Sequence, residues 1–585
     1  MMRILKWIFV GIALIYLFLL MANRQIATVL FGGDGYKKHQ LIPGNIEIPT
    51  KRTFAWKDHS AYADSILSLW ANKPIRDEDI NRKGTVQNII LARMMLKKDI
   101  QEMNQTLLKF KVWGISGSTW ALNKKGDYDF TITNLTTILW LFGEKNDILF
   151  PETRDYLINT LLSEEGGQFR YAVPYSLGIW KDTENHILMT EGSRYLKNRW
   201  LALHGNANEK YDNIRNGLEE KLLAFMDEMR VNGLYEFNSL PYMGYTLVAL
   251  LNMEAFGSEK LSAKAREVLD YANWCYALGS YQLKHYPPMR RRYEKAYIQK
   301  LLTDYHSAFM KSWLSFSPVE KFDTDFYKAE AHALMGVCIP YQPADEVIKT
   351  IFDKGNGYFV QLGHGKNSCP EIYSAGKHFL LSAGGANQGE NSIIVARPIC
   401  LFLNDTASVL SHVFHLAGPG NDFKKWNNTG VYRNFACAAG PVKIPAGLKP
   451  IQAKNSWSVY LMSDSVSVAV FSSEKLGIMV ISENQNPENF LNTIIGLNSD
   501  SRKLDHQFTM PDETKLEYDV NSPKDSWVIQ AINGQPVNRV FDRWALIEGD
   551  FYRKNSIPDY RVKNNNSVLR QGGARTLKTS DIINY

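Results

Sequence analysis

Three residues that can bind an anion and move a proton stand in succession in the first half of the chain: Glu184, Asn185 and His186. An amide donates hydrogen bonds to a carboxylate, and an imidazole, with an unperturbed pKa of about 6.5, exchanges protons near neutral pH. The three residues lie where a helix is predicted to begin, so they could equally be the polar cap of that helix. Spacing alone leaves both interpretations open.

If this helix includes His186, a polar stripe continues along the same face. Its members are Thr190, Ser193, Arg194 and Lys197. In a mostly buried helix such a stripe requires water or a ligand, whereas on an exposed helix it is a solvated face. Arg194 is therefore a candidate for binding an anionic substrate.

A second segment places tyrosines directly after a polar loop. Glu236 lies in this loop, and Asn238 or Ser239 is predicted to be the N-cap of the following helix. Tyr242 and Tyr245 then lie in the first turn. Tyrosines at helical spacing usually pack in a core, so the residues alone predict two core aromatics.

The Asn185-His186 pair, followed by the pattern Glu-x-x-Ser-x-x-Tyr-x-x-Tyr from Glu236 to Tyr245, resembles polysaccharide lyases with an (α/α) toroid and a β-sandwich. The heparinase II/III-like and alginate lyase groups are similar in arrangement. The resemblance covers the layout from about residue 60 to about residue 550, and its specific motifs occupy two short segments. It implies an α+β multidomain fold and a superfamily, without a substrate.

The resemblance implies an enzyme that cleaves a uronic-acid-containing glycan by β-elimination. Asn185 matches the amide that neutralises the substrate carboxylate, and His186 matches an adjacent histidine that is a base for one substrate epimer. Tyr242 matches the tyrosine that exchanges a proton with the reacting centre. A phenol, with an unperturbed pKa near 10, needs a cationic neighbour to act as a base, and Arg194 or an arginine of 290–292 could supply it.

Further residues are predicted to bind the partner, an anionic polysaccharide or oligosaccharide. They are Glu184, Arg194, Glu236, Arg290, Arg291 and Arg292. The last three belong to a basic and aromatic run at residues 285–293, which is also typical of a solvated loop. No cofactor and no metal is predicted, because the β-domain histidine pattern of heparinase II/III-like enzymes has no clear match. Candidates for that histidine are His364, His378, His412 and His415.

Two alternatives to a lyase fit the same residues. A glycoside hydrolase on an (α/α) toroid needs two carboxyl groups roughly 5 to 9.5 Å apart. The available acids are Asp127, Asp129, Glu184 and Glu236. A non-catalytic glycan-binding or envelope-assembly protein would use the same surface for docking.

The elements that must position these residues form a helical part and a β part. Residues 56–354 contain about ten segments with apolar residues at three- and four-residue spacing, which predicts helical hairpins in a closed toroid or an open superhelix. Residues 355–562 show strand alternation and an Asn533-Gly534 turn, which predicts an antiparallel β-sandwich. Residues 563–585 are predicted to be a loose tail.

The first 24 residues are predicted to be a transmembrane signal anchor. An uncharged run from Trp7 to Asn23 follows Arg3 and Lys6. The basic flank predicts a cytoplasmic N-terminus, so the body would be anchored on the exported side, periplasmic or extracellular. Residues 25–55 are predicted to be the linker between membrane and body.

The composition favours a globular body and argues against a nucleic-acid partner. A net charge of +7 over 585 residues is dilute, and an aromatic content of 12% is typical of packed cores. Five widely spaced cysteines predict buried thiols, with room for one disulfide. They are Cys275, Cys338, Cys369, Cys400 and Cys437.

Overall fold

The protein is described by a computed structural model in which helices occupy the first part of the chain and antiparallel strands the second. The described residues are 2–22, 48–240, 242–286, 288–290, 305–319, 328, 330–362, 371–385, 395–396, 398–403, 414–416, 427–522, 527–536, 546–548, 559–563 and 567–571. The fold is therefore mixed α+β, as predicted.

Fourteen α-helices lie in these residues. They are α1 (Met2–Ala22), α2 (Ala61–Ala71), α3 (Thr85–Met95), α4 (Ile100–Lys109), α5 (Asp129–Phe142), α6 (Pro151–Tyr156), α7 (Glu184–Leu203), α8 (Leu218–Asn232), α9 (Tyr242–Phe256), α10 (Glu259–Gly279), α11 (Tyr305–Leu314), α12 (Ala331–Cys338), α13 (Asp345–Phe352) and α14 (Pro487–Leu497). The side chains of Ser60, Ser258 and Asn486 cap α2, α10 and α14 by accepting hydrogen bonds from first-turn N–H groups.

Helices α5 and α7 pack together in the same direction. Near their starts, the ring of Phe130 lies edge-on to that of His186, with centroids 5.4 Å apart. Near their ends, the rings of Trp140 and Trp200 are also 5.4 Å apart. Because start meets start and end meets end, the first turns of both helices lie at the same end of the bundle.

Helix α9 runs in this direction too. Phe130 contacts Tyr245 of α9 at a centroid distance of 4.3 Å, and Trp140 stacks on Phe256 at 5.4 Å. Helix contacts continue from α3 to α5, α7, α9, α11 and α12, and α12 packs on α3 again. The first turns of α5, α7 and α9 therefore meet, and those of α7 and α9 carry the three predicted catalytic residues Asn185, His186 and Tyr242.

The strands form two large antiparallel sheets and several small ones. They are β1 (Ser280–Tyr281), β2 (Lys284–His285), β3 (Met289–Arg290), β4 (Tyr358–Leu362), β5 (Glu371–Ala375), β6 (Phe379–Ala383), β7 (Val395–Ala396), β8 (Ile399–Leu403), β9 (Phe414–Leu416), β10 (Thr429–Tyr432), β11 (Phe435–Ala438), β12 (Val442–Lys443), β13 (Gln452–Lys454), β14 (Trp457–Ser463), β15 (Val466–Ser472), β16 (Gly477–Glu483), β17 (Gln507–Thr509), β18 (Lys515–Tyr518), β19 (Ile529–Ile532), β20 (Gln535–Pro536), β21 (Leu546–Glu548), β22 (Asp559–Lys563) and β23 (Ser567–Gln571). The larger sheet has the order β12-β9-β8-β6-β5-β4-β21, and the second has the order β10-β11-β16-β15-β14-β13.

The larger sheet is buried on both faces. Alternate residues of a strand point to opposite faces, and in β5 Tyr373 and Ala375 belong to the core built by the helices. Ile372, the residue before Tyr373, points to the opposite face and belongs to a second core that includes residues of the six-stranded sheet such as Val468 and Ile478. The larger sheet thus lies between the helices and the second sheet.

The sequence predicted most of the helices, a few of the strands and the boundary between the two parts. The change from helix to strand falls between Phe352 and Tyr358, and Asn533 and Gly534, both with positive φ, form the two-residue turn between β19 and β20. Helix α14 within the β part and the short strands β1 to β3 were not predicted. The hairpin of β22 and β23 also extends beyond residue 562, where the loose tail was expected to begin.

The terminal and cysteine predictions have mixed outcomes. Helix α1 includes an 18-residue window, Met2–Leu19, that is long and apolar enough to cross a membrane. Residues 23–47, most of the predicted linker, and 572–585 of the tail lie outside the described residues. Four cysteines have free thiols, namely Cys275, Cys338, Cys400 and Cys437, and Cys369 also lies outside the described residues.

The buried Lys354 joins the helical part to the first strand of the larger sheet. Its amino group donates hydrogen bonds to the carbonyl oxygens of Ala277, Ser280 and Thr350, close to the C-terminal ends of α10 and α13. Helix C-termini leave carbonyl groups without main-chain partners, so a buried amino group there donates to groups that water cannot reach.

We predict that Lys354→Met lowers the free energy of unfolding by about 2–4 kcal/mol, because it leaves buried carbonyl oxygens without donors. Thermal and denaturant unfolding of the full chain would measure the change. Lys349→Met in the preceding helix α13 is the control, since Lys349 is exposed and its loss should change stability by no more than about 0.5 kcal/mol. Equal stabilities of the two variants would contradict the prediction.

Candidate functional site

The three polar residues of the first motif are the first residues of α7 and are buried. Thr183 occupies the N-cap position, and its side chain donates to Asn185 Oδ1 instead of accepting from the helix. Glu184 is 2% exposed, Asn185 0% and His186 6%. The alternative of a cap and a solvated helix face does not describe these residues.

Two polar atoms at this helix start lack partners within the described protein. The Nδ2 amide of Asn185 is buried and donates to no described acceptor, and Glu184 Oε2 has no described donor. The other carboxyl oxygen of Glu184 accepts a 2.6 Å hydrogen bond from the main-chain N–H of Glu236. A buried polar atom without a partner costs about 1–3 kcal/mol, so these two atoms are candidates for binding a ligand's polar groups.

Predicted substrate-binding residues meet around Glu184. Burial and, to a lesser degree, the charge of Glu236 raise the pKa of Glu184, main-chain hydrogen bonds and Arg290 oppose the rise, and the net pKa is about 7. Arg290 is 0% exposed, and its guanidinium lies 4.0 Å from the centroid of the Tyr235 ring. It is therefore part of a buried structure, not of a solvated loop. Arg291 and Arg292 lie outside the described residues.

His186 forms a buried pair with Asp129, the first residue of α5. His186 Nδ1 and Asp129 Oδ2 are 2.5 Å apart. Burial by itself lowers the pKa of His186, but the charge of Asp129, reinforced by those of Asp182 and Asp127, outweighs it and raises the pKa to about 10. His186 is then an imidazolium at neutral pH, so the pKa of 6.5 behind its predicted role as a base does not apply.

Sequence reasoning considered Asp127 and Asp129 only as acids of a hydrolase. In the structure, ligand atoms of Asp127, Asp129 and His186 lie within 4.8 Å of one another, a spacing that could hold a metal ion. Asp127 Oδ2 already forms a 2.9 Å ion pair with Lys83 Nζ, and His186 is paired with Asp129. The two carboxylates are therefore neutralised by protein cations. In the sequence, the only hint of this cluster is the Asp-x-Asp pattern before a helix.

Tyr242 lies at the start of α9, half-buried against the helical core. One turn later, Tyr245 contacts Phe130, which also contacts His186. Gly244 allows this turn to pack closely against His332, because a Cβ at position 244 would lie 2.6 Å from His332 Nε2. The structure thus brings Tyr242 to the end of the bundle where Asn185 and His186 lie.

Neither predicted N-cap residue acts through its side chain in the way expected. The Nδ2 group of Asn238 donates to Glu371 Oε2 and to the Tyr373 hydroxyl, both at 3.0 Å. It therefore ties the loop before α9 to strand β5 of the larger sheet. For Ser239, the main-chain carbonyl accepts from Met243 N at 3.1 Å.

Arg194 does not join the other predicted residues. It is 3% exposed and forms ion pairs with Glu191 at 2.8 Å and Glu164 at 2.6 Å. Eight residues separate it from His186, or about 12 Å along the helix. The stripe residue Lys197 likewise donates to the Leu162 carbonyl at 2.5 Å, so the charged ends of both side chains are bound by protein groups.

The β-part histidines show no connection to the site in the residues that are described. His378 lies between β5 and β6, where its main-chain N–H donates to Glu483 Oε1 at 2.6 Å, and His415 lies in β9 opposite Cys400. His364 and His412 lie outside the described residues.

We predict that Asp129→Asn removes a pH dependence of stability. The raised pKa of His186, about 10, means that the pair stabilises the fold fully below pH 6.5 and loses this effect as pH rises toward 10. The difference in unfolding free energy between wild type and variant should therefore be greatest at pH 6, roughly 3 kcal/mol, and shrink toward pH 10. Melting curves of both proteins across this range would measure it, and a constant difference would contradict the pairing.

No family model matches this chain, and no curated protein matches it.

Proposed function

We propose that the chain is a polysaccharide lyase-like enzyme that cleaves a uronic-acid-containing glycan by β-elimination. The observation that carries the proposal is the buried amide of Asn185, which lacks an acceptor among the described residues and directly follows Glu184 in the chain, whose Oε2 also lacks a partner there. A substrate carboxylate would accept from the amide, and from Glu184 in its protonated form. Both hydrogen bonds strengthen as negative charge develops on the carboxylate, which is what elimination requires.

We propose an (α/α) toroid and a β-sandwich as the architecture. Support for the toroid comes from the shared direction of α5, α7 and α9 and from the sequence of helix contacts that returns from α12 to α3. Support for the sandwich comes from the second core, to which both large sheets contribute side chains.

Elimination needs a base to take the proton beside the carboxylate. The electron pair of the broken carbon–hydrogen bond forms the new carbon–carbon double bond. The bond to the glycosidic oxygen then breaks, and that oxygen takes up a proton. Tyr242, as a phenolate, would accept the first proton and then, as a phenol, return a proton to the leaving oxygen. A cation favours the phenolate, and we propose His186 for this role in place of Arg194, because it is at the same end of the helices and is held protonated by Asp129.

A glycoside hydrolase is the second candidate function. The observation that favours it is the pKa of Glu184, which burial and then Glu236 raise to about 7, since a carboxyl group protonated near neutral pH is the general acid of such enzymes. The products distinguish the two functions: elimination leaves an unsaturated sugar that absorbs in the ultraviolet, and hydrolysis does not.

We predict that the full chain, incubated with a panel of uronate glycans, releases an ultraviolet-absorbing product, and that Tyr242→Phe lowers the rate roughly a hundredfold or more. Asn185→Ala should reduce the rate similarly, because the carboxylate charge then lacks its donor. Since these residues act on one transition state, the double variant should be little slower than either single variant.

Tyr245→Phe is the matched control, since it removes a hydroxyl one turn further along the same helix. Melting temperatures of all variants would show whether the fold survives. Rates of Tyr242→Phe equal to those of Tyr245→Phe, at equal stability, would remove Tyr242 from the mechanism. Reducing-end release without ultraviolet absorption would favour the hydrolase, and glycan binding without turnover a docking protein.

We also propose that α1 anchors the body on the exported side of the membrane, with Arg3 and Lys6 on the cytoplasmic side. We predict that detergent, but not high salt, extracts the protein, because the apolar helix makes the attachment. Protease added to the exported face of intact cells should digest the body. A protected body, with a folded exported control digested, would reverse the assigned orientation.

A further inference from the structure

Residues 171–182, here called the apolar loop, lead into α7 and expose large apolar side chains. Tyr171 is 42% exposed, Tyr175 55%, Leu177 82% and Ile179 61%. Four such side chains in nine residues form an apolar surface on an otherwise folded body, and surfaces of this kind mark contact sites.

The apolar loop is held in one conformation by its own main chain. Val173 N donates to Trp180 O at 2.9 Å, and Asp182 N donates to Tyr171 O at 2.9 Å. Leu177 has φ 52°, a left-handed conformation that a branched residue adopts only when its surroundings impose it. The apolar side chains are therefore presented on a built loop.

A second segment packs beside this loop and adds positive charge. The indole of Trp120 donates to Pro174 O at 2.8 Å and meets the ring of Trp180 edge-on at 6.1 Å. Directly after it, Leu122 is 37% exposed, and Lys124 and Lys125 are exposed. Trp120 itself is buried, at 2% exposed, and Trp180 is half-buried, so the exposed groups here are tyrosines, aliphatic side chains and lysines. This combination is typical of a surface at the level of lipid headgroups.

The predicted membrane helix contacts this same surface. The hydroxyl of Tyr16 in α1 donates to Tyr175 O at 2.8 Å, and its ring meets Trp120 edge-on at 6.4 Å. Tyr16 lies three residues before the end of the apolar window Met2–Leu19, about 4.5 Å of helix rise. Tyrosines at that depth occupy the membrane–water interface.

We propose that the apolar loop and the segment around Leu122 insert into the interface of the bilayer that holds α1. The partner is the lipid surface itself, because a spanning α1 places Tyr16, and with it Tyr175 and Trp120, at headgroup level. Lys124 and Lys125 would then contact anionic headgroups. The proposal rests on membrane anchoring by α1.

If the proposed lyase function also holds, this insertion determines how substrate arrives. The apolar loop continues directly into Thr183 and the buried residues Glu184 to His186. The candidate site therefore lies next to the membrane surface, and its substrate class would be a glycan held at that surface.

The test compares two exposed leucines at opposite ends of α7. Leu177 precedes the helix, and Leu203, 60% exposed, is its last residue. The helix between them has 20 residues and is about 30 Å long. Leu177→Cys and Leu203→Cys in the full chain would each carry an environment-sensitive fluorophore, with the labelled wild type as background for native cysteines. Each protein is reconstituted into vesicles of phosphatidylethanolamine and phosphatidylglycerol and exposed to lipids with a nitroxide near the headgroup, or to aqueous iodide.

We expect nitroxide lipids to reduce the emission at Leu177 by about half or more and iodide to have little effect, as for a group 5–10 Å deep in the interface. Leu203 should show the reverse. Iodide quenching at Leu177 equal to that at Leu203 would overturn the proposal. Protection from both quenchers would also overturn it, because it would indicate a protein contact. Protein that fails to float with vesicles would refute anchoring itself, whereas floating protein with a water-exposed Leu177 probe would refute only the insertion.

Discussion

The candidate site depends on one packing constraint, the common direction of α5, α7 and α9. Because these helices share their direction, the residues at their starts meet although they are far apart in the chain. Helices α5 and α9 begin at Asp129 and Tyr242, and His186 lies in the first turn of α7. Polar residues are tolerated in so buried a place only with partners, and the hydrogen bond from His186 to Asp129 supplies the principal one.

The larger sheet fixes the other side of the same region. Its strand β5 receives the side chain of Asn238 through Glu371 and Tyr373, and the pairing of β3 with β7 connects Arg290 to the β part. The loop before α9 and the arginine next to Glu184 are thus positioned from both halves of the protein. A change in the β part can therefore alter the chemistry at the helix starts without touching a predicted catalytic residue.

The segments that lead into α5 and α7 connect this chemistry to the N-terminus. Trp120 and Trp180 lie on these two segments and meet each other, and Tyr16 of α1 packs against Trp120. The same chain segments thus contribute buried charges on one side and exposed aromatic and aliphatic groups on the other. If α1 spans a membrane as proposed, this arrangement would relate the orientation of the body to the position of the candidate site.

The helical and β parts, the apolar N-terminal helix and the Asn533-Gly534 turn could be predicted from the sequence, because each depends on periodicity or on local conformational preference. The segment from Glu184 to His186 could also be singled out in this way. Which residues meet could not be predicted, because it depends on packing. Asp129 is 57 positions from His186, and the partners of Asn238 are 133 and 135 positions away, separations over which a pattern carries no information on contact.

The charges of the site residues likewise depend on which side chains pack against them. Residue type gave His186 a pKa near 6.5 and the role of a base, but a buried carboxylate 2.5 Å away makes it a cation at neutral pH. Arg194, which its residue type made a substrate-binding candidate, is instead engaged by Glu191 and Glu164. Local preference belongs to the sequence, whereas the pKa and the availability of a buried charge depend on its neighbours, and packing alone brings those neighbours together.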